Sequence, residues 1–428
     1  VRAVRGAGGT RGVRAVPLVL AALALTACGG GGFSDGGGSA GSEKGGTVRM
    51  LVNITPNLTQ DYWEGLVKPF EAAHDGVDVK IEAPSGKGVA DTLQQQLAAG
   101  NAPDVVETLM VDEALAPQML ELTDQPWVKD TPLVREASLD GKVYTVGVGE
   151  QAQSLVFYNK DAFAEAGIDQ PPTTLDELTA AMGKLKKAGY LPLLTSGEFA
   201  TGLQLLQLAN PSLAQSHPTW YEDVESGKST VGATMLPYLE RYQSWLKSGY
   251  VDKNALGLKY ADAEAKFLSG KAGMYVMGSW FTASEAKAEK DFEVGAFAAP
   301  VDKGQDHPGP QGATMAAPYM VLKATEHRDL ATELVEYLVT DPAAVKSQLQ
   351  QDGNFRKGVE RKFTPLEKDV QAVLDSAPQR VAQGEGYGDT TLPRGFNAAW
   401  NTEVQGLYVG RSPEQVADAV DRWVRDHS

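Results

Sequence analysis

From Thr47 onward the chain alternates short apolar, strand-like runs with segments of helical period, and that alternation confines it to an α/β fold. Val48 to Ile54 reads as a first buried strand. A helix is expected from about Asp61 to His74, with Tyr62, Trp63, Leu66, Val67, Phe70 and Ala73 on the 3.6-residue period. Pro69 falls inside it and weakens its continuity. Gly76 stops this helix, and Val77 to Glu82 alternates as a second strand. Val89 to Ala99 forms the next helix, Gly100 to Pro103 breaks it, and Asp104 to Leu109 makes a third strand. Further on, Thr174 and Glu177 have the spacing of a capping box, and Ser412 and Gln415 repeat it with Pro413 at the first helical position. At 428 residues the chain has room for two domains, and no internal repeat appears after residue 46.

Composition narrows the functional class. Hydrophobic residues at 42% and charged residues at 22% describe a globular chain, neither disordered nor polytopic in a membrane. Lys and Arg total 39 against 55 acidic residues, a net charge of −16, which disfavours nucleic acid as a partner. The single cysteine, Cys28, excludes an internal disulfide framework and a Cys-based zinc site.

The flanks of Cys28 carry an address. Arg2, Arg5, Arg11 and Arg14 precede an apolar run from Ala15 to Ala27, which is shorter than the about 20 residues a spanning helix needs. The run closes on Leu25-Thr26-Ala27-Cys28, which resembles the bacterial lipobox, where the cysteine is lipidated and becomes the new N-terminus. Residues 1–27 are therefore expected to be a lipoprotein signal peptide and residues 28–46 a glycine-rich tether. A core cysteine at a helix end is the alternative, and the run Gly29 to Gly32 argues against it. Losing residues 1–27 would take the charge from −16 to −20, on a body anchored at the extracellular face of the cell membrane.

Several stretches stand in a telling order: Leu93 to Glu107 with its Gly-Asn-Ala-Pro-Asp turn, Asp140-Gly141-Lys142, Phe157 to Phe163 with Ala166-Gly167-Ile168 and Pro171 to Thr174, and Phe267 to Met274 leading to Gly278-Ser279-Trp280. Together they resemble the extracellular solute-binding proteins of ATP-driven (ABC) importers, in the sugar-binding family that includes maltose-binding protein. The resemblance implies two α/β lobes joined by a multi-strand hinge, with a ligand cleft between them. Lobe one would comprise residues 47–157 and 312–365, lobe two residues 158–311 and 366–428. It also implies a monomeric receptor that takes a sugar or oligosaccharide to a membrane permease, without cofactor or catalysis.

A neutral sugar offers apolar C–H faces and rings of hydroxyls, so its site needs aromatic platforms and planar polar side chains. Trp280, beyond the strand-like run Ala272 to Met277, stands where the family places a stacking aromatic; core packing is its alternative. Trp220 and Tyr221, in a stretch with little helical pattern, offer a second platform or core packing. Glu198 and Phe199 follow the run Tyr190 to Leu194, where the resemblance implies a polar–aromatic pair or else a plain helix start. Asn53 and Thr55 lie in the loop after the first strand, at the carboxyl end that faces the crevice in open α/β sheets. Glu107 and Asp112 follow the third strand, where family members often accept sugar hydroxyls. Gln151 and Gln153 occupy a usual polar contact position, and Tyr319 and Arg356 are hinge-side candidates. Asn354-Phe355-Arg356 stands where relatives carry Gly-Asn-x-Pro, and this chain lacks the proline.

The motifs of other chemistries are missing. His74, His217, His307, His327 and His427 are scattered without metal-ligand spacing, and there is no P-loop, GxSxG or GxGxxG. Carboxylates are plentiful, so an exported glycan hydrolase using two of them is the alternative outside the binding class. Within that class the alternatives are a polyamine, a peptide or an organic anion.

Overall fold

The computed structural model describes residues 45–85, 88–377, 379–388 and 390–428. The expected signal peptide, Cys28 and nearly all of the expected tether lie outside these residues. Among the described residues no helix is long and apolar enough to cross a membrane.

Two four-stranded sheets carry the fold. Eleven strands matter for it: β1 (Gly46–Leu51), β2 (Val77–Glu82), β3 (Val105–Glu107), β4 (Gly149–Ala152), β5 (Leu155–Asn159), β6 (Leu191–Leu194), β7 (Ala272–Met277), β8 (Val294–Ala298), β9 (Gln311–Ala316), β10 (Tyr319–Val321) and β11 (Arg380–Val381). The first sheet has the order β10-β3-β1-β2, with β1 parallel to both neighbours and β10 antiparallel at the edge. The second has the order β6-β7-β5-β8, with β6 parallel to β7 and β5 antiparallel to both neighbours. A third sheet, β11-β9-β4, is made of the segments that cross between them.

Both large sheets are buried on two faces, and the strand period of two sorts their side chains. In β1, Val48 and Met50 join a core with Trp63, Phe70 and Leu334, while Leu51 points to the opposite core with Leu93 and Met320. In β7, Met274 and Val276 meet Trp245 and Trp400 on one face, and Tyr275 and Met277 meet Phe267 and Phe281 on the other.

Local expectations hold with instructive trims. The first helix runs unbroken from Gln60 to Ala73 through Pro69, since Trp63, Leu66, Val67 and Phe70 are buried along its inner face. Strand β1 stops at Leu51 rather than Ile54, because the backbone of Asn53 is captured by side chains instead of a neighbouring strand. Strand β3 is confined to Val105–Glu107, and Thr108, with φ 88°, turns the chain away. Both capping boxes form. Gly46, expected to belong to the tether, is already the first residue of β1. The stretch holding Trp220 and Tyr221, expected to be non-helical, is the short helix Trp220–Glu225. Strand β5 pairs along its whole length within the second sheet, so the first crossing falls before Leu155 and not at residue 157.

One buried ion pair secures a crossing segment. Arg361 Nη1 donates to Glu367 Oε1 at 2.5 Å, and Nη2 donates to the Asn354 carbonyl at 2.9 Å. The guanidinium also lies over the rings of Phe355 and Phe363, at 5.5 and 4.5 Å from their centroids. Removing one partner of such a pair leaves an uncompensated buried charge. Arg361→Met is expected to cost about 3–5 kcal/mol in urea denaturation, with the loss smaller in the double variant Arg361→Met, Glu367→Leu.

Candidate functional site

A cleft of about 1180 Å³ opens at the carboxyl ends of β1 and β3 and faces elements of the second sheet. The first-sheet side sets polar groups among apolar lining residues such as Ile54 and Met110. Glu107 ends β3, and its Oε2 accepts from the Asn53 backbone N–H at 3.0 Å. The Trp63 indole donates to the Asn53 carbonyl at 2.9 Å. Bracketed in this way, the loop Asn53 to Asn57 is held open at the strand end and lines the cleft. The Thr55 hydroxyl stabilises the loop's own turn by accepting from the N–H groups of Asn57 and Leu58.

The opposite wall is aromatic. Trp280 sits immediately before the helix Phe281–Lys287, three residues past β7, and lines the cleft. Phe199, 43% exposed, and Tyr260 stand beside it in the lining, their ring centroids 5.1 Å apart. Asn57 links the walls: its Nδ2 donates to the Trp280 carbonyl at 3.4 Å, and its Oδ1 accepts from Lys287 Nζ at 3.2 Å.

The floor comes from the crossing segments. Gln151 on β4 donates through Nε2 to Asp352 at 3.2 Å, and Thr314 on β9 donates to Gln151 Oε1 at 3.2 Å. Asp352 reaches the cleft because Phe355 pairs with Glu150, by backbone bonds of 2.7 and 3.0 Å. That approach needs Gly149, where a Cβ would run into the Phe355 carbonyl and Leu349.

Six of the expected residues are thus brought together: Trp280, Phe199, Asn53, Thr55, Glu107 and Gln151. The others take different places. Trp220 and Tyr221 are buried core residues, the Trp220 indole donating to Thr234 Oγ1 at 2.8 Å and the Tyr221 hydroxyl to the Gly384 carbonyl at 3.1 Å. They pack because their helix lies against the second core. Tyr319 is fully buried on β10 and donates to Gln348 Oε1, supporting the cleft from behind. Arg356 is a backbone clip, donating to the carbonyls of Val339 at 2.9 Å and Asp130 at 3.1 Å. Gln153 is buried behind the floor, with Nε2 donating to Thr314 at 3.3 Å. Glu198, at φ 53°, accepts from the Tyr260 N–H at 2.8 Å and so orients the aromatic wall without lining it. Asp112 forms a two-pronged ion pair with Arg394, a cleft-lining residue that precedes the helix Phe396–Gln405.

Sequence reasoning missed Tyr260, Asp352, Arg394 and Asn397. Only Asp352, followed by Gly353 with φ 57°, carried a local signal, an Asp-Gly turn. Among the described residues no group of three His, Cys, Asp or Glu side chains could hold a metal ion.

Two carboxyl groups here have unusual proton affinity. Burial pushes the Glu107 carboxyl up to about 7, against the hydrogen bonds from Thr108 and the Asn53 N–H, and the charge of Asp352 adds to the rise. Burial pushes Asp352 up to about 6, opposed by hydrogen bonds from Asn354, Asn57 and Gln151 and by the charge of Lys287. An acid whose folded pKa exceeds its unfolded value, about 4.3 for Glu, leaves the fold most stable below that value. Stability is then lost as pH rises through about 7. Glu107→Gln keeps an acceptor for Asn53 and is expected to flatten this decline, by on the order of 3 kcal/mol between pH 4 and 8 in urea denaturation.

A family model described as bacterial extracellular solute-binding protein matches residues 56–345. A binding protein of Brucella abortus is 26% identical over 291 residues, 64% of this chain and 66% of its own length, so the match spans about two thirds of that relative. The multiple sugar-binding protein of Streptococcus mutans is 25% identical over 320 residues, 71% of this chain and 74% of its own. The solved structure of a chitin oligosaccharide binding protein aligns with a TM-score of 0.76 at 24% identity, over 90% of this chain and 99% of that one, a likeness of fold. With a cleft between two α/β sheets and a family match across well over half its length, the chain belongs to the bacterial extracellular solute-binding proteins.

Proposed function

We propose that this protein is the sugar-capturing receptor of an ABC-type importer, binding a neutral oligosaccharide in the cleft and delivering it to a membrane permease. The observation that carries the reading is an aromatic wall, Trp280, Tyr260 and Phe199, set across the cleft from the polar groups of Asn53 and Glu107 and above Gln151 on the floor. Apolar sugar faces stack on the first, and hydroxyls exchange hydrogen bonds with the second. Its volume of about 1180 Å³ exceeds the roughly 300–1,000 Å³ of pockets for drug-sized ligands, which suits more than one sugar ring. The names of the Streptococcus mutans and chitin oligosaccharide relatives point the same way.

The work of such a receptor is affinity and closure rather than covalent chemistry. Residues 47–154 with 312–365, and 155–311 with 366–428, serve as the two closing lobes in this reading. Ligand favours the closed form only by its extra contacts there. A lipid on Cys28 and the tether of residues 28–44 would keep a monomeric body mobile beside the permease. Glu107 and Asp352, mostly protonated near pH 5, act as hydrogen-bonding groups for hydroxyls. The same pair is what a glycan hydrolase would use, and turnover of chromogenic glycosides abolished by Glu107→Gln would establish that reading instead.

Titration calorimetry against maltotetraose, raffinose, xylotetraose and chitotetraose is expected to reveal a binder, and small-angle scattering to show compaction with it. Trp280→Ala is expected to weaken that binding by about 1–3 kcal/mol, as for other aromatic anchors. Failure of every neutral glycan to bind or compact the protein would overturn the proposal.

A further inference from the structure

Among the described residues, ion pairs join the two lobes of the receptor reading in two kinds of place. Arg361–Glu367 and Arg380–Glu150 lie on the crossing segments, where a hinge motion displaces neighbours least. Asp112–Arg394 instead joins a loop beyond the first sheet to a loop beside the second core, across the rim of the cleft.

Each half of that pair is set in place by its own side. Asp112 stands between the lining residues Met110 and Leu115, and its Oδ1 accepts from the Leu115 N–H at 2.8 Å. Arg394 is followed by Gly395 and Asn397, whose N–H groups donate to Glu385 Oε1 at 3.1 and 3.0 Å. The next helix, Phe396–Gln405, is bound to the second core, its Trp400 indole donating to the Gly202 carbonyl at 2.9 Å. Across the gap Arg394 Nε donates to Asp112 Oδ2 at 2.6 Å, and Nη2 donates to Oδ1. The two side chains are 35% and 25% exposed, so the pair is partly shielded from water. Gly388 gives the same stretch a second approach to the first lobe, since a Cβ there would collide with the carbonyl oxygens of Glu136 and Ser138.

A two-pronged guanidinium–carboxylate contact between partners fixed beforehand loses little side-chain freedom on forming. It also has no slack, because both bonds fail once the lobes separate by a few ångströms. We propose that Asp112 and Arg394 form a charge latch, made only as the lobes come together, which biases the protein toward closure before any ligand contact is counted. The inference rests on the two-lobed receptor reading. A receptor whose binding-competent form is only partly populated binds more weakly by that fraction. The latch therefore makes capture of an uncharged sugar depend on salt, although no charge on the ligand takes part.

The test pairs Asp112→Asn with Arg394→Gln, singly and together, since each removes a charge and keeps the side chain's reach. Asp112 is not among the cleft-lining residues, so its loss reports the pairing and not a ligand contact. Affinity for whichever of the four glycans above binds the wild type is measured by calorimetry from about 0.01 to about 1 M NaCl, over which the screening length falls from about 30 to about 3 Å. At low salt each single variant is expected to bind about three- to fivefold more weakly than wild type, and the double variant no more weakly than either. Wild-type affinity is expected to fall to that of the variants as salt rises, while theirs stays level. Losses under about twofold at low salt, losses that add in the double variant, or a difference that persists at high salt each overturn the latch. Small-angle scattering without glycan gives an arm that needs no ligand: wild type is expected to be more compact than the variants at low salt and to match them at high salt. If no glycan binds, the receptor reading falls and scattering alone decides, with identical curves for wild type and variants overturning the latch as well.

Discussion

Strand β9 is the constraint on which the rest depends. It lies antiparallel to β4 and parallel to β11, so three separate stretches of chain cross between the large sheets side by side. A parallel neighbour requires a long connection. Residues 317–379 provide it, adding β10 to the first sheet and the helices Arg328–Thr340 and Pro342–Gln351 to the first core. They then place the helix Pro365–Ser376 against β8 of the second sheet. The return path brings Asp352 onto the cleft floor through the Glu150–Phe355 bridge. Without that pairing neither Gln151 nor Asp352 would face the ligand space.

The cleft draws its lining from both large sheets. Asn53, Thr55 and Glu107 belong to the first sheet's strand ends, whereas Phe199, Tyr260 and Trp280 belong to elements packed on the second. In the proposed receptor a sugar stacked on the aromatic side would complete its hydrogen bonds only by meeting the other side, which would make affinity and lobe approach one event. Asn57, Lys287 and the Asp112–Arg394 pair already span the gap at its rim. The buried carboxyl groups of Glu107 and Asp352 make the cleft's polar contacts adjustable, since near neutral pH they pass from donor-and-acceptor to acceptor alone.

Much of the fold was legible because its signals are local. The alternation of runs located β1, β2, β7 and the first two helices, and the capping boxes at Thr174 and Ser412 formed as their spacing implied. Strand-end position also led to Asn53, Thr55 and Glu107. The errors share one cause, which is that a residue's type does not say which face of its element it occupies. Trp220 and Tyr221 have the right chemistry for a platform but sit on the inward side of a short helix. Arg356 has the right charge for a ligand contact but spends its donors on backbone carbonyls.

By itself the sequence determined the α/β class, the strand ends that open onto a crevice and the aromatic beyond β7, because periodicity and turn residues act over a few positions. Only the tertiary structure decided which distant segments complete the cleft. Arg394 and Asn397 enter it from the far end of the chain, and the side chains of Gln153 and Gln383 meet around Gly312 from positions 230 residues apart. Such contacts are fixed by the strand pairing of β9 with β4 and β11, a long-range hydrogen-bonding choice that leaves no pattern in any short stretch of sequence.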